Sequence, residues 1–141
     1  SGYVDGPTHK APCGPAVAIL VNNAGTQTWK RLLEIEEEEW DDVLGTNLKG
    51  CFLCTQQAAL RMRDSGTGGS IVNIGSGCNR VPFPMLSSYS ASKGGIEAWT
   101  KVAAVELGPH KIRVNCVAPG APGLRCSCGG WFRRAHICLP A

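Results

Sequence analysis

The chain is expected to fold as an α/β domain built on a short, open, parallel sheet. Two observations predict this. Three short runs of apolar and β-branched residues (17–21, 70–74 and 112–117) alternate with two long stretches of helical periodicity. Each run also stops abruptly at a turn signal: Asn22-Asn23-Ala24-Gly25, Gly75-Ser76-Gly77 and Pro119-Gly120. The order β-α-β-α-β implies parallel strands joined by right-handed crossovers.

In chain order, residues 1–16 are rich in Gly and Pro, show neither period, and read as an irregular lead-in. Val17-Ala18-Ile19-Leu20-Val21 is wholly apolar, the pattern of a parallel strand covered on both faces. From Glu36 to Arg63 the pattern is helical. Acids crowd its first turn, as the helix dipole prefers, and Trp40, Val43, Leu44, Leu48, Phe52 and Thr55 recur at three- and four-residue steps. Gly45 and Gly50 predict a kink near Thr46–Gly50. Asp64–Gly69 is a polar stop, and Ser70–Ile74 forms the second strand. After an irregular stretch carrying Pro82 and Pro84, a second helix runs from about Ser88 to Leu107. Ala91, Ile96, Trp99, Val102 and Ala103 form its apolar stripe, and Gly108-Pro109 ends it. Ile112–Val117 is the third strand. Residues 121–141 show no period and read as an irregular tail. The domain therefore spans 17–120.

Composition excludes several classes. With 141 residues, 43% hydrophobic and 18% charged, the chain can bury a core and is too apolar for disorder. Its longest apolar run, Ala16–Val21, falls far short of the roughly 20 residues of a membrane span. A net charge of +3 is too mild to point to nucleic acid, so neither membrane nor nucleic acid is expected as a partner. Eight cysteines invite a disulfide reading. No charged-then-apolar signal segment opens the sequence, and several cysteines fall inside periodic segments. Reduced thiols in a cytoplasmic protein are therefore expected. Cys51 and Cys54 form a C-x-x-C in mid-helix and read as packing. Cys126, Cys128, His136 and Cys138 have spacings unlike common zinc modules, so no metal site is expected.

In an open parallel sheet, ligands bind outside the carboxyl ends of the strands. The three turn signals should line that crevice together with the start of the second helix. Tyr89 and Lys93, four residues apart, share one helical face there. A phenol titrates near 10 when unperturbed, and a cation within about 4–6 Å favours the phenolate. Tyr89 could then exchange a proton with a substrate oxygen, with the Ser76 hydroxyl donating to the same oxygen.

Five segments in order resemble successive motifs of the short-chain dehydrogenase/reductase family. They are Leu20–Gly25, Asn47 after Trp40–Leu44, Gly69–Ser76, Tyr89-Ser90-Ala91-Ser92-Lys93, and Ile112–Gly120. The resemblance covers about 17–120. It implies an incomplete Rossmann-type, doubly wound parallel sheet and a catalytic tetrad of Asn47, Ser76, Tyr89 and Lys93. It further implies hydride transfer between NAD or NADP and a small secondary alcohol or ketone. Tyr89 would be the acid–base residue, with Ser76 orienting the substrate oxygen. Lys93 would lower the tyrosine pKa and hold the nicotinamide ribose, and Asn47 would hold a water linked to Lys93. Asn22, Asn23, Ala24 and Gly25 would contact the cofactor and brace the sheet, and Pro119 and Gly120 would border the nicotinamide. The two long helices resemble those that pair in the family's homo-oligomers.

Two departures accompany the match. No strand followed by a Gly-rich phosphate turn occurs, since Gly66-x-Gly68 precedes a strand and position 80 is Arg where Gly75-x-Gly77 would need a third glycine. No threonine follows Gly120 in Ala121–Arg125. A catalytically inactive module of the same fold is the alternative expectation.

Overall fold

The three apolar runs become β1 (Ile19–Asn22), β2 (Gly69–Ile74) and β3 (Ile112–Ala118). The computed structural model describes residues 17–120 and 136–138. The strands lie in the order β1-β2-β3 and both pairs are parallel, with Leu20 beside Ile71 and Ile71 beside Val114. A three-residue strand, β4 (His136–Cys138), adds to β3 in antiparallel fashion. It corrects the reading of 121–141 as wholly irregular, because three residues are too few to display an alternating period. The lead-in, the rest of the tail and the side chains of the Cys126, Cys128, His136 and Cys138 group lie outside the described residues.

The first helical stretch is divided. It comprises α1 (Glu37–Leu44), a π-helical turn at Gly45–Lys49, and α2 (Gly50–Ser65). The Gly50 N–H reaches back five residues to the Gly45 carbonyl, so the expected kink is a widened turn. A capping box opens α1: the Glu36 N–H donates to Glu39 Oε2 at 3.1 Å, and three acids fill the first turn. Gly66, at φ +70°, closes α2 as a left-handed cap. The second helical stretch is one continuous helix, α3 (Ser87–Leu107), ended at Gly108-Pro109-His110 as expected.

The core lies on one face of the sheet. Ile71, Ile112 and Val114 pack there on Ala58, Ala59 and Met62 of α2 and Ala103 of α3. A second cluster joins Cys51, Ile96 and Cys116. Gly69 has no room for a side chain, since a Cβ there would collide with Met62. The opposite face is far more open. Ile19 is 68% and Val21 55% exposed, while Ser70, Val72, Ile74, Asn115 and Val117 are half-buried. This corrects the expectation that the Val17–Val21 run is covered on both faces, because among the described residues α2 and α3 both pack on the other face of the sheet. In α3 the inner face is carried by Ile96, Thr100 and Ala103, whereas Ala91 and Val102 of the expected stripe are exposed.

Candidate active site

The carboxyl ends of β1, β2 and β3 and the first turns of α3 meet as the topology requires. The Gly75 N–H donates to the Val117 carbonyl at 2.8 Å and the Gly77 N–H to the Pro119 carbonyl at 2.9 Å. A Cβ on Gly77 would stand 3.5 Å from Gly120 Cα. The Ser76 turn and Pro119-Gly120 are therefore neighbours.

Ser76 is extended and almost fully buried, and its Oγ accepts the Cys78 N–H at 3.2 Å, capping the short helical turn Gly77–Asn79. That contact occupies an acceptor position and leaves the hydroxyl hydrogen to donate. Lys93 is buried, and its Nζ donates to the Ile74 carbonyl at 2.7 Å, two residues before Ser76. The same Nζ lies 5.6 Å from the centre of the Tyr89 ring. Among the described residues no carboxylate forms an ion pair with this lysine, and desolvation by burial pushes its pKa below the usual amine value.

Asn47 sits in the π-helical turn and is 1% exposed. Its Oδ1 accepts the Thr26 N–H at 2.7 Å, and its Nδ2 donates to the Thr26 carbonyl and to Ser92 Oγ, both at 2.9 Å. The Ser92 hydroxyl in turn donates to the Tyr89 carbonyl at 2.8 Å. Asn47 thus ties the segment after β1 to the helix that carries Tyr89 and Lys93, with both amide hydrogens used. Gly25 lies against this group: a Cβ there would stand 3.3 Å from Asn47 Oδ1 and 3.6 Å from Lys93 Nζ.

Asn22 turns inward. Its Nδ2 donates to Thr55 Oγ1 at 2.9 Å and to Asn73 Oδ1 at 2.8 Å. The Asn73 Nδ2 donates to Thr100 Oγ1 at 2.9 Å, and the Thr100 hydroxyl to the Ile96 carbonyl at 2.7 Å. This chain links α2, the sheet and α3 beneath the crevice, so the side chain of Asn22 supplies the bracing role. Asn23 and Ala24 are exposed at the strand end. Thr26, Ser92, Asn73 and Thr100 escaped the sequence reading. A polar residue within the apolar run Ile71-Val72-Asn73-Ile74 was the available signal for the bracing chain.

The residues fit one end of a nicotinamide dinucleotide. A buried ammonium with a single carbonyl partner has two further donors to satisfy, as ribose hydroxyls would do. The missing side chain of Gly25 leaves open space beside it. For the pyrophosphate, no turn of the form G-x-G-x-x-G follows a strand among the described residues: Gly75-x-Gly77 after β2 has Arg80 where the third glycine would stand. Gly68, at φ +71°, instead packs against the Lys111 backbone before β2. Among the described residues no cluster of ligating side chains could hold a metal, and no helix is long and apolar enough to cross a membrane.

Residues 11–123 match the family described as short chain dehydrogenase. The chain is 45% identical over 102 residues to the 3-oxoacyl-acyl-carrier-protein reductase FabG of Staphylococcus aureus, covering 72% of this chain and 41% of that protein. It is 45% identical over 103 residues to the (3R)-3-hydroxyacyl-CoA dehydrogenase of Canis lupus familiaris, covering 73% and 40%. Among solved structures, acetoin dehydrogenase YohF from Salmonella typhimurium aligns with a TM-score of 0.72 at 42% identity, covering 74% of this chain and 42% of that one. The chain thus spans about two fifths of the length of the relatives it matches.

Proposed function

Because the chain belongs to the short-chain dehydrogenase family, we propose that it carries the catalytic centre of an oxidoreductase that interconverts a secondary alcohol and a ketone with NAD or NADP. The observation that carries this reading is the buried Lys93 ammonium, 5.6 Å from the Tyr89 ring and bonded to the carbonyl two residues before Ser76. The cofactor, when bound, supplies the hydride acceptor or donor.

Tyr89 gives a proton to the ketone oxygen in reduction and takes it from the alcohol in oxidation. Ser76 donates a hydrogen bond to that oxygen as charge develops on it. Lys93 holds its positive charge beside the Tyr89 ring and would offer its remaining donors to the ribose. Asn47 holds Gly25-Thr26 and Ser92 so that the ammonium keeps its place; a water between Asn47 and Lys93 would extend the proton path. Asn23, Ala24 and Gly25 border the cofactor on the β1 side and Pro119-Gly120 on the β3 side. A small hydroxy ketone suits the reading, because one similar structure is that of an acetoin dehydrogenase. Free thiols at Cys51, Cys54, Cys78 and Cys116 suit a cytoplasmic setting.

In this reading α2 and α3 pair with those of a second copy. Phe52, Leu53, Val102 and Val105 are exposed along them, and the rings of Phe52 and Trp99 meet edge to face at 6.0 Å. A cavity of about 700 Å³, lined by Leu44, Leu48, Phe52 and Trp99, opens beside that pair and contains none of the tetrad. Sedimentation at micromolar concentration should show a dimer.

The test is Tyr89→Phe, assayed for acetoin oxidation with NAD and with NADP. Turnover should fall by 10²–10⁴-fold, the usual contribution of general acid–base catalysis, with cofactor affinity preserved. Turnover within twofold of the parent refutes the mechanism. A fluorescence titration with NADH and NADPH should show binding; no binding would select the alternative, an inactive module of this fold.

A further inference from the structure

The tetrad is borne by two different layers: Ser76 follows a strand, whereas Tyr89 and Lys93 stand on α3. The backbone bonds of Gly75 and Gly77 fasten the Ser76 turn to β3 and leave its position relative to the helix to other contacts. One such contact precedes Ser76, from Lys93 Nζ to the Ile74 carbonyl. The other follows it. Glu97 lies four residues beyond Lys93 and eight beyond Tyr89, along the same side of α3. Its carboxylate accepts a hydrogen bond from Asn79 Nδ2 and forms an ion pair with Arg80 Nη2 at 2.6 Å. The Glu97 side chain is only 12% exposed, whereas Arg80 is 37% exposed, so the Asn79 contact is the better shielded of the two. Asn79 turns its amide nitrogen to Glu97, while its Oδ1 is buried without a partner. Gly94 lies beside the turn, where a Cβ would meet Asn79 Cβ at an ordinary 3.7 Å.

We propose that Glu97 is a positioning residue: it ties the turn carrying Ser76 to the helix carrying Tyr89 and Lys93, and so sets the separation of the serine hydroxyl from the tyrosine phenol. The inference rests on the oxidoreductase reading above, because only that reading requires the separation to be fixed.

Amide hydrogen exchange on the full chain tests the tie without any turnover. In Glu97→Ala the amides of Cys78, Arg80 and Val81 should exchange at least tenfold faster, while those of Ile71, Val72 and Asn73 in β2 stay protected. Glu97→Gln, which keeps an acceptor for Asn79, should fall between parent and Glu97→Ala. If β2 also loses protection, the paired change Asn79→Ala with Arg80→Gln removes the same contacts from the loop side and decides the matter. Turn amides as slow as in the parent overturn the proposal. In acetoin oxidation, Glu97→Ala should lower kcat about tenfold with the NAD Kd unchanged, and Glu97→Gln should restore part of it. Full kcat in Glu97→Ala, alongside loss in Tyr89→Phe, overturns the tie and leaves the tyrosine mechanism standing. Full activity in Tyr89→Phe overturns the mechanism instead, and the exchange result alone then decides the tie.

Discussion

The two faces of the sheet are built from the same strands and carry opposite burdens. On one, Ile71, Asn73, Val114 and Cys116 are sealed beneath α2 and α3, polar and apolar side chains alike. On the other, Ile19, Val21 and Arg113 are exposed, and Val72 and Asn115 are half-covered. Adjacent residues of one strand therefore live in different media. Burial here follows from which neighbour arrives, since Val21 is as apolar as Val114 and yet lies open.

The comparison can be broken most sharply at Met62, which is fully buried. Met62→Ala should destabilise by about 2–5 kcal/mol, as truncation of a core side chain does. Ile19→Thr on the open face should change stability by no more than about 0.5 kcal/mol. Denaturant midpoints of the two variants give the contrast directly, and equal losses would mean that the faces do not differ.

A subtler pair uses one residue type on both faces. Asn73 accepts from Asn22 and donates to Thr100, whereas Asn115 carries a buried Oδ1 with no partner. Asn73→Ala should cost about 1–3 kcal/mol by stranding its partners, and Asn115→Ala should be close to neutral because an orphaned acceptor is removed. Chemical denaturation of both variants tests the difference in size.

The least direct effect is in pH dependence and belongs to the sealed face. Burial pushes the Cys51 thiol from 9.0 up to about 11. Between those values the folded chain keeps a proton that the unfolded chain releases. The contribution of Cys51 is therefore complete below pH 9 and is lost as pH rises through about 11. Lys93 has the opposite sign: burial lowers its pKa from 10.5, the fold releases its proton first, and stability rises with pH through that window. Denaturation midpoints between pH 7 and 11 should show the alkaline loss diminished in Cys51→Ala and enhanced in Lys93→Met. A change of the same direction in both variants would contradict the assignment.

Local chemistry made much of this legible in advance. The strands begin and end within a residue or two of their apolar runs, because Gly, Pro and Asn clusters stop them. The spacing of Tyr89 and Lys93 placed both on one turn of α3, and the glycines around Thr46 marked the irregular helix. What the sequence hid was reciprocal. Asn22, Thr55, Asn73 and Thr100 are far apart along the chain, and no local period links them. Glu97 meets the Asn79-Arg80 turn from 18 and 17 residues away, a separation that no local pattern marks. The outward placement of Ala91 and Val102 likewise depends on which side of α3 the sheet occupies.

The π-helical turn has a consequence of its own. Val43, Asn47, Cys51 and Thr55 are all buried and stand four apart. In a regular α-helix a step of four overshoots one revolution by about 40°, so three such steps drift by about 120°. The widened turn absorbs most of that drift with one surplus residue, which is why Asn47 can point inward in line with Val43 and Cys51. The glycines on either side of the turn are not what sustains it: a Cβ on Gly45 would meet nothing within 4 Å, and one on Gly50 only the Gly45 carbonyl at an ordinary 3.6 Å. Deleting one residue from 45–49 would restore a uniform pitch, and eleven steps of about 100° between Val43 and Thr55 come within about 20° of three full turns, so α2 would keep Ala58, Ala59 and Met62 under the sheet. The surplus residue serves Asn47 rather than the aim of α2: functional descendants of the sequence should keep it, whereas descendants that have lost it should retain the fold and lose the bonds from Asn47 to Thr26 and Ser92.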